Sequence, residues 1–289
     1  MKRHANPRQT NKATCISMLN PMARNILAIW LTFPDTIRLQ AYKVLKVIGS
    51  YIYEPSIAMM GVQRLPFGLY LKYGPVSDAD RHTREYKALH LIRNSTSIPA
   101  PYPIDLILSA NESIMITTRI DGKPAGVEID TCSDEELSLM AQDLHGWIAE
   151  LHSIRRPTDS NYAICGISGG ACFDYRIGSE PAGPFRDERE LSEALRLGIL
   201  PNLVHRDDHN ILFAHGDLNM RNILVKDGRI SGIVDWENAG WYPEYWEYTK
   251  CHFGVRLHKR WLRMIEEVFG DQYHEELMIE RQYWMYQTL

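Results

Sequence analysis

His215-Gly216-Asp217-Leu218-Asn219-Met220-Arg221-Asn222, followed thirteen positions after Asn222 by Asp235-Trp236-Glu237, is the stretch on which the fold of this chain turns. Between the two motifs lie the apolar run Ile223-Leu224-Val225, the pair Asp227-Gly228 and a second apolar run from Ile230 to Val234. Asp-Gly suits a two-residue hairpin turn because both central positions need φ > 0. The segment therefore predicts two short antiparallel strands. If the turn pairs Lys226 with Arg229, Ile223 faces Gly232 and Asp235 faces Met220. Asn222 and Asp235 then emerge together at the open end of the hairpin, beside the loop that carries Asp217. One amide oxygen and two carboxylates at one place make a hard-oxygen set suited to Mg²⁺, which favours octahedral oxygen ligands and phosphate oxygens.

Such a set fits phosphoryl transfer, in which the protein does little covalent work and mostly positions groups and neutralises charge. Asp217 would accept or orient the proton of an acceptor hydroxyl, Asn222 would hold one Mg²⁺, and Asp235 would hold the metal that bridges the phosphates. His215 reads as a brace for the loop rather than a participant in the chemistry. Taken singly, each Asp or Asn is an ordinary turn residue. Their order around one hairpin carries the signal.

The strings HGDLNMRNILV (215–225) and GIVDWENAGWYPEYWEY (232–248) resemble the aminoglycoside phosphotransferase and choline kinase-like family, most closely its fungal branch. The similarity runs from about residue 65 to about residue 280. It implies a protein-kinase-like, two-lobed α+β fold, with a small antiparallel-sheet N-lobe and a mainly helical C-lobe. It also implies use of Mg-ATP, phosphorylation of small-molecule hydroxyls, Asp217 as catalytic aspartate, and Asn222 and Asp235 as metal ligands. Protein kinases carry His-Arg-Asp and Asp-Phe-Gly at these places. Here the segments are His215-Gly216-Asp217 and Asp235-Trp236-Glu237, the small-molecule pattern.

The first half should supply the nucleotide side. Phe67 to Tyr73 alternates like a strand, with Leu69, Leu71 and Tyr73 on one face and Lys72 on the other. Ser77 with Asp80 reads as the start of a helix that runs to about Arg93. On it Glu85 shares a face with Ala88, Leu89 and Ile92. A carboxylate on an apolar face needs a partner, and Lys72 is the natural one, matching the strand-Lys to helix-Glu pair of kinases. Ser113 to Ile120 reads as a strand that ends in a turn; the resemblance makes this the hinge that receives adenine, with Thr118 and Ile120 as its contacts. No G-x-G-x-x-G precedes the Lys72 strand, so no residue is assigned to a phosphate-covering loop.

Ser133 with Glu136 forms a capping box for a helix whose apolar face holds Leu137, Met140, Leu144, Trp147, Ile148 and Leu151. Residues 155–190, rich in Gly, Pro, Ser and Asp, read as a long irregular insertion that helps shape the acceptor pocket. Six aromatics crowd into residues 236–248 together with Glu237, Glu244 and Glu247. The aromatics read mainly as packing. With Pro243 as first residue of a helix, Glu244 and Glu247 fall one turn apart, and the three acids would suit an amine-bearing acceptor.

Composition excludes several other classes. The chain has 289 residues, 45% of them apolar, and a formal net charge of −4, which leaves no footprint for nucleic acid or an anionic membrane. Five cysteines, none in Cys-x-x-Cys spacing, fit neither a disulfide framework nor a zinc site, so a reducing, cytoplasmic setting is expected. No apolar run is long enough to span a bilayer, and no protein partner is implied. The expected organisation is a poorly ordered segment 1–35, an N-lobe 36–121 and a C-lobe 122–289. The basic, acid-free start, with Lys2, Arg3, Arg8, Lys12 and Arg24, fits a transit peptide, a tail, or a start at Met18 or Met22. Two other functions compete. A protein kinase is disfavoured because no Ala-Pro-Glu follows Asp235 and the interval to Pro243 is too short for an activation loop. A nucleotide-binding pseudoenzyme scaffold usually lacks one of the five residues Lys72, Glu85, Asp217, Asn222 and Asp235, all present here.

Overall fold

The computed structural model describes residues 21–53, 61–156, 162–196, 203–255 and 258–287. By contact the chain divides into two compact units, one running to His82 and including Pro101–Arg119, the other made of Thr83–Ala100 and everything from Ile120 onward.

The first unit begins with helices α1 (Pro21–Trp30) and α2 (Asp35–Ile52). Part of the segment expected to be poorly ordered, 1–35, is thus helical; residues 1–20 lie outside the described residues. Strands β1 (Val62–Leu65) and β2 (Leu69–Pro75) follow, joined by a 3₁₀ turn in which Phe67 (φ 65°) and Gly68 (φ 69°) are left-handed. That turn removes Phe67 from the strand in which alternation had placed it. Helix α3 (Ala79–Ser95) comes next, then β3 (Pro103–Leu108) and β4 (Glu112–Thr118). A 3₁₀ turn, Val76–Asp78, occupies the expected Ser77 cap, and the α-helix starts after it. The four strands form one antiparallel sheet in the order β1-β2-β4-β3. Its apolar face joins Tyr42 of α2 to Leu65, Leu71, Ile104, Ile107, Ile114 and Ile116. Beneath it the buried Arg38 pairs with Asp105, whose carboxylate also accepts from the Tyr42 hydroxyl at 2.8 Å. Gly49 lets α2 approach β1, since a Cβ there would lie 2.3 Å from the Arg64 carbonyl oxygen. The short stretch 54–60 before β1, where a phosphate-covering loop would be sought, lies outside the described residues.

The second unit takes the apolar face of α3, with Ala88, Leu89 and Ile92 wholly buried, into a larger core. This contact division therefore runs through α3 rather than at residue 121. The unit continues with β5 (Lys123–Pro124), α4 (Ala125–Glu128) and α5 (Asp134–His152). The capping box of α5 forms as expected: Ser133 Oγ accepts from Glu136 N at 3.1 Å, and Glu136 Oε2 accepts from Ser133 N at 2.8 Å. Its buried stripe of Leu137, Met140, Leu144, Trp147, Ile148 and Leu151 is continuous, and each such side chain contributes roughly 1.5–3 kcal/mol of transfer free energy. Then come β6 (Cys165–Gly166), α6 (Glu188–Arg196), β7 (Ile211–Ala214), β8 (Ile223–Lys226), β9 (Arg229–Ile233) and β10 (Gly240–Pro243). Helices α7 (Trp246–His252), α8 (Lys259–Phe269) and α9 (His274–Gln287) close the unit. Two three-stranded sheets, β6-β10-β7 and β5-β8-β9, sit among these helices. No helix among the described residues is long and apolar enough to cross a membrane.

Two expectations are corrected in this unit. Pro243 is the last residue of β10, paired with Ile211, and α7 begins at Trp246. The β8–β9 hairpin turns at Asp227 (φ 52°) and Gly228 (φ 71°) with Lys226 opposite Arg229, as read. A bulge then intervenes, so that Leu224 faces Gly232 and Ile223 faces Ile233. Asp235 is thereby moved one place along from Met220.

Candidate active site

The loop after β7 is built around a glycine and a histidine. Gly216 has φ +80°, and a Cβ on it would lie 2.2 Å from the Asn238 carbonyl oxygen, so no other residue fits without moving the backbone. His215 is fully buried. Its Nδ1 accepts from the Asp217 amide at 3.2 Å and its Nε2 lies 3.0 Å from the Val234 carbonyl oxygen, which together fix the neutral Nε2–H tautomer. Burial lowers its pKa and keeps it neutral. His215 thus links the loop to the end of the hairpin's far strand.

Asp217 and Asn222 meet. Asn222 Nδ2 donates to Asp217 Oδ2 at 3.0 Å and to the Asp217 carbonyl oxygen at 2.8 Å, which commits its amide nitrogen and leaves Oδ1 outside both bonds. Asn219 closes the loop by donating to the same carbonyl at 3.0 Å and accepting from the Arg221 amide at 2.9 Å. On the neighbouring strand the Val234 amide donates to the Asn222 carbonyl oxygen at 2.9 Å, and Asp235 follows in a left-handed conformation, φ 67° and ψ 59°. A non-glycine residue held there costs on the order of 1–3 kcal/mol, a cost that clusters where side-chain aim matters. Carboxylate oxygens of Glu85, Asp235 and Glu237 lie within 4.8 Å of one another. Glu237, expected at an acceptor mouth, thus lies beside Glu85 and Asp235. These are hard oxygen donors, and three carboxylates this close repel one another unless a cation sits among them.

Glu244 and Glu247 do not form a pair at the surface. Glu244 lies off the helix and accepts from Asn210 Nδ2 at 3.1 Å. Glu247 is 1% exposed and accepts from the Gly216 amide at 2.7 Å. The aromatics around it, Trp236, Trp241, Tyr242, Tyr245, Trp246 and Tyr248, are all buried, which is the packing role read from the sequence. Burial pushes the Glu247 carboxyl up to about 7 against the hydrogen bond from Gly216, and the Asp217 charge adds to the rise. A raised carboxyl pKa means that the folded state holds this proton more tightly than the unfolded chain does. Its contribution to stability, on the order of 3 kcal/mol, is complete below the ordinary value of 4.5 and is lost as pH rises through about 7. Glu247→Gln removes that titration, so the melting temperature of the variant relative to wild type should climb by several degrees between pH 5 and pH 8. A difference that stays flat across that range would show that Glu247 does not titrate in the fold.

On the nucleotide side, Lys72 lies on β2 between Val62 and Met115, in the first unit. Glu85 is buried in the second unit, on the face of α3 shared with Ala88, Leu89 and Ile92. Thr118 ends β4, and its amide and hydroxyl are both spent on the Tyr102 backbone, at 3.0 and 2.8 Å. The amide of Arg119 goes to the Gly68 carbonyl oxygen at 2.8 Å. Thr118 thus has no amide donor for adenine, and Ile120 is the residue of the expected pair that stays a candidate.

Sequence reasoning missed a chain of buried charges behind Asp217. Lys250 Nζ lies 3.4 Å from Asp217 Oδ1 and 3.1 Å from Asp174 Oδ1. Asp174 is held by Arg176 through three hydrogen bonds of 2.8–3.1 Å, and Arg176 continues to Thr249 at 2.7 Å and to Glu280 at 2.9 Å. The Arg176 guanidinium also covers the Trp246 ring at 3.9 Å. Burial alone would raise the Asp174 carboxyl, but Arg176 and Lys250 hold it down to about 2. Burial pushes Glu280 up. Asp174 and Arg176 come from the segment read as an irregular insertion, where one Asp-Tyr-Arg among Gly and Pro was the only available signal.

The family model described as the phosphotransferase enzyme family matches residues 69–279, and the chain belongs to that family. An aminoglycoside 3'-phosphotransferase of Enterococcus faecalis is 30% identical over 97 residues, 34% of this chain. A counterpart of the same description from Staphylococcus aureus is 29% identical over 97 residues. In each case the match spans 30% of the relative's length. Among solved structures, the streptomycin–ATP ternary complex of APH(2")-IIa matches with a TM-score of 0.55 at 15% identity, covering 84% of this chain and 85% of that one. The APH(2")-IIa gentamicin complex matches at the same TM-score and identity over 78% of this chain and 77% of that one. At that identity the likeness is one of fold, and the fold is the kinase-like, two-lobed α+β one.

Proposed function

We propose that this chain transfers the γ-phosphoryl group of ATP to a hydroxyl of a small molecule, with Asp217 as the base. The observation that carries this reading is the hydrogen bond of 3.0 Å from Asn222 Nδ2 to Asp217 Oδ2, with the residue before Asp235 joined to the Asn222 carbonyl oxygen through its amide at 2.9 Å. Asn222 Oδ1 and the Asp235 carboxylate are the ligands for Mg²⁺, with Glu237 and Glu85 completing an oxygen-rich shell. When bound, Mg²⁺ would neutralise charge on the phosphates. Lys72 and Ile120 are the proposed nucleotide contacts. Asp217 receives the hydroxyl proton; Asn222 fixes one of its oxygens, and His215 and Gly216 hold its loop. A loose transition state asks for this kind of placement more than for base strength. The enzymes named above, which act on or bind aminoglycosides, support a small-molecule hydroxyl acceptor. With Glu247 buried and Glu237 among the metal-type acids, the site gives no specific support for an amine on it. The four free cysteines among the described residues support a reducing, cytoplasmic setting.

Mg-ATP at about a hundred times its Kd should stabilise the protein by roughly 2.7 kcal/mol, a rise of several degrees in melting temperature. Asp235→Ala should remove most of that rise while leaving the nucleotide-free melting temperature close to wild type. No rise for wild type at millimolar Mg-ATP would overturn both the kinase reading and that of an ATP-binding scaffold.

A further inference from the structure

The two oxygens of Asp217 are held from different parts of the chain. Oδ2 accepts from Asn222, its neighbour in the loop. Oδ1 faces Lys250 on α7, whose side chain is 4% exposed against 18% for Asp217. An ammonium so deeply buried is tolerated only when paired, and a single partly exposed carboxylate at 3.4 Å does not suffice. The second partner, Asp174, is buried and held in place, because the Arg176 guanidinium binds both of its oxygens and the Arg176 amide also donates to Oδ1. Glu280 on α9 and Thr249 on α7 anchor Arg176 in turn. The sequence of charges is Glu280, Arg176, Asp174, Lys250, Asp217, alternating in sign, and its last member is the one that reaches solvent.

Resting on the reading of Asp217 as the base, we propose that Lys250 is a positioning residue for it, tying the Asp217 carboxylate to this buried framework so that it meets the acceptor hydroxyl in one orientation. A loop carboxylate held by one amide alone keeps a free torsion about its Cβ–Cγ bond. The second hold at Oδ1 removes that freedom without using the oxygen that Asn222 holds. Lys250 acts through Asp217 and has no role in nucleotide binding, because its charge is met by Asp174 and Asp217.

Background hydrolysis of Mg-ATP, followed by ADP release, reads this without knowledge of the acceptor. Lys250→Met should lower kcat about 10- to 100-fold, the range by which a small misplacement of a reacting group is felt, and leave KM for Mg-ATP within about threefold. Lys250→Arg, which keeps the charge and both partners, should recover most of the loss. In the Asp217→Asn background, Lys250→Met should have almost no further effect, because the group it positions is gone. Where Lys250→Met fails to fold, Lys250→Gln, which keeps an N–H donor for Asp174 without the charge, is read the same way. Wild-type kcat in the folded variant, or a loss that persists undiminished in the Asp217→Asn background, overturns the positioning role. Asp217→Asn turning over like wild type is a different failure: it removes the base assignment itself, whatever Lys250 does.

Discussion

Asp217→Asn should bind Mg-ATP with wild-type affinity and lose about 10²- to 10⁴-fold in phosphoryl transfer or background ATP hydrolysis, the range typical of a positioned proton acceptor. The change is nearly isosteric. The Asn222 amide still finds the Asp217 backbone carbonyl at 2.8 Å, and Asn222 Oδ1 and the Asp235 carboxylate are untouched. Nucleotide titration and turnover measured on the same preparation separate the two properties. Weakened binding in proportion to lost turnover would mean that Asp217 serves the nucleotide and that another group takes the hydroxyl proton.

The second large effect is on stability. Arg176→Met should lower the unfolding free energy by about 3–5 kcal/mol, because it leaves the buried carboxylates of Asp174 and Glu280 without their shared cation. For a chain of this size the melting temperature should fall by on the order of 10 °C. The exposed pair Arg186–Glu190 is the control: Arg186→Met should change the melting temperature by no more than about a degree or two, since solvent already screens that contact. Equal shifts in the two variants would show that Arg176 contributes bulk and not charge. Replacing Arg176, Asp174, Glu280 and Lys250 together by apolar residues of matched volume should return much of the lost stability, because no buried charge is then stranded.

What the sequence revealed, it revealed through local chemistry. Asp227-Gly228 could form one kind of turn and did. Ser133 with Glu136 satisfies each other's backbone partner within four residues. Glu85 shares the buried face of α3 because helical periodicity leaves it no other. Asn222 beside Asp217 follows from a loop only six residues long. The misreadings arise where a distant contact decides. Pro243 suits the start of a helix by its fixed φ, yet it also suits the end of an edge pairing, and β7 made the choice. Glu247 looked like a surface acid because nothing in its neighbourhood shows that the Gly216 amide needs an acceptor. Thr118 looked free for adenine because its partner, the Tyr102 backbone, lies sixteen residues back, just before β3. Lys250 could not be found from spacing at all, since its partners lie 33 and 76 residues away.

The bulge in the β8–β9 hairpin makes the thirteen-residue interval from Asn222 to Asp235 a measuring device. Side chains alternate along a strand, so adding one residue to either arm would turn the carboxylate of Asp235 toward the opposite surface. Dropping Ser231, the residue left unpaired by the bulge, instead keeps Leu224 opposite Gly232 and Asp235 in place. Length changes here can be accommodated in compensating pairs or out beyond the Asp227-Gly228 tip. For anyone aligning relatives or grafting this hairpin into another scaffold, a one-residue gap between the two motifs anywhere but at Ser231 is a warning about the aim of Asp235 even when every motif letter still matches.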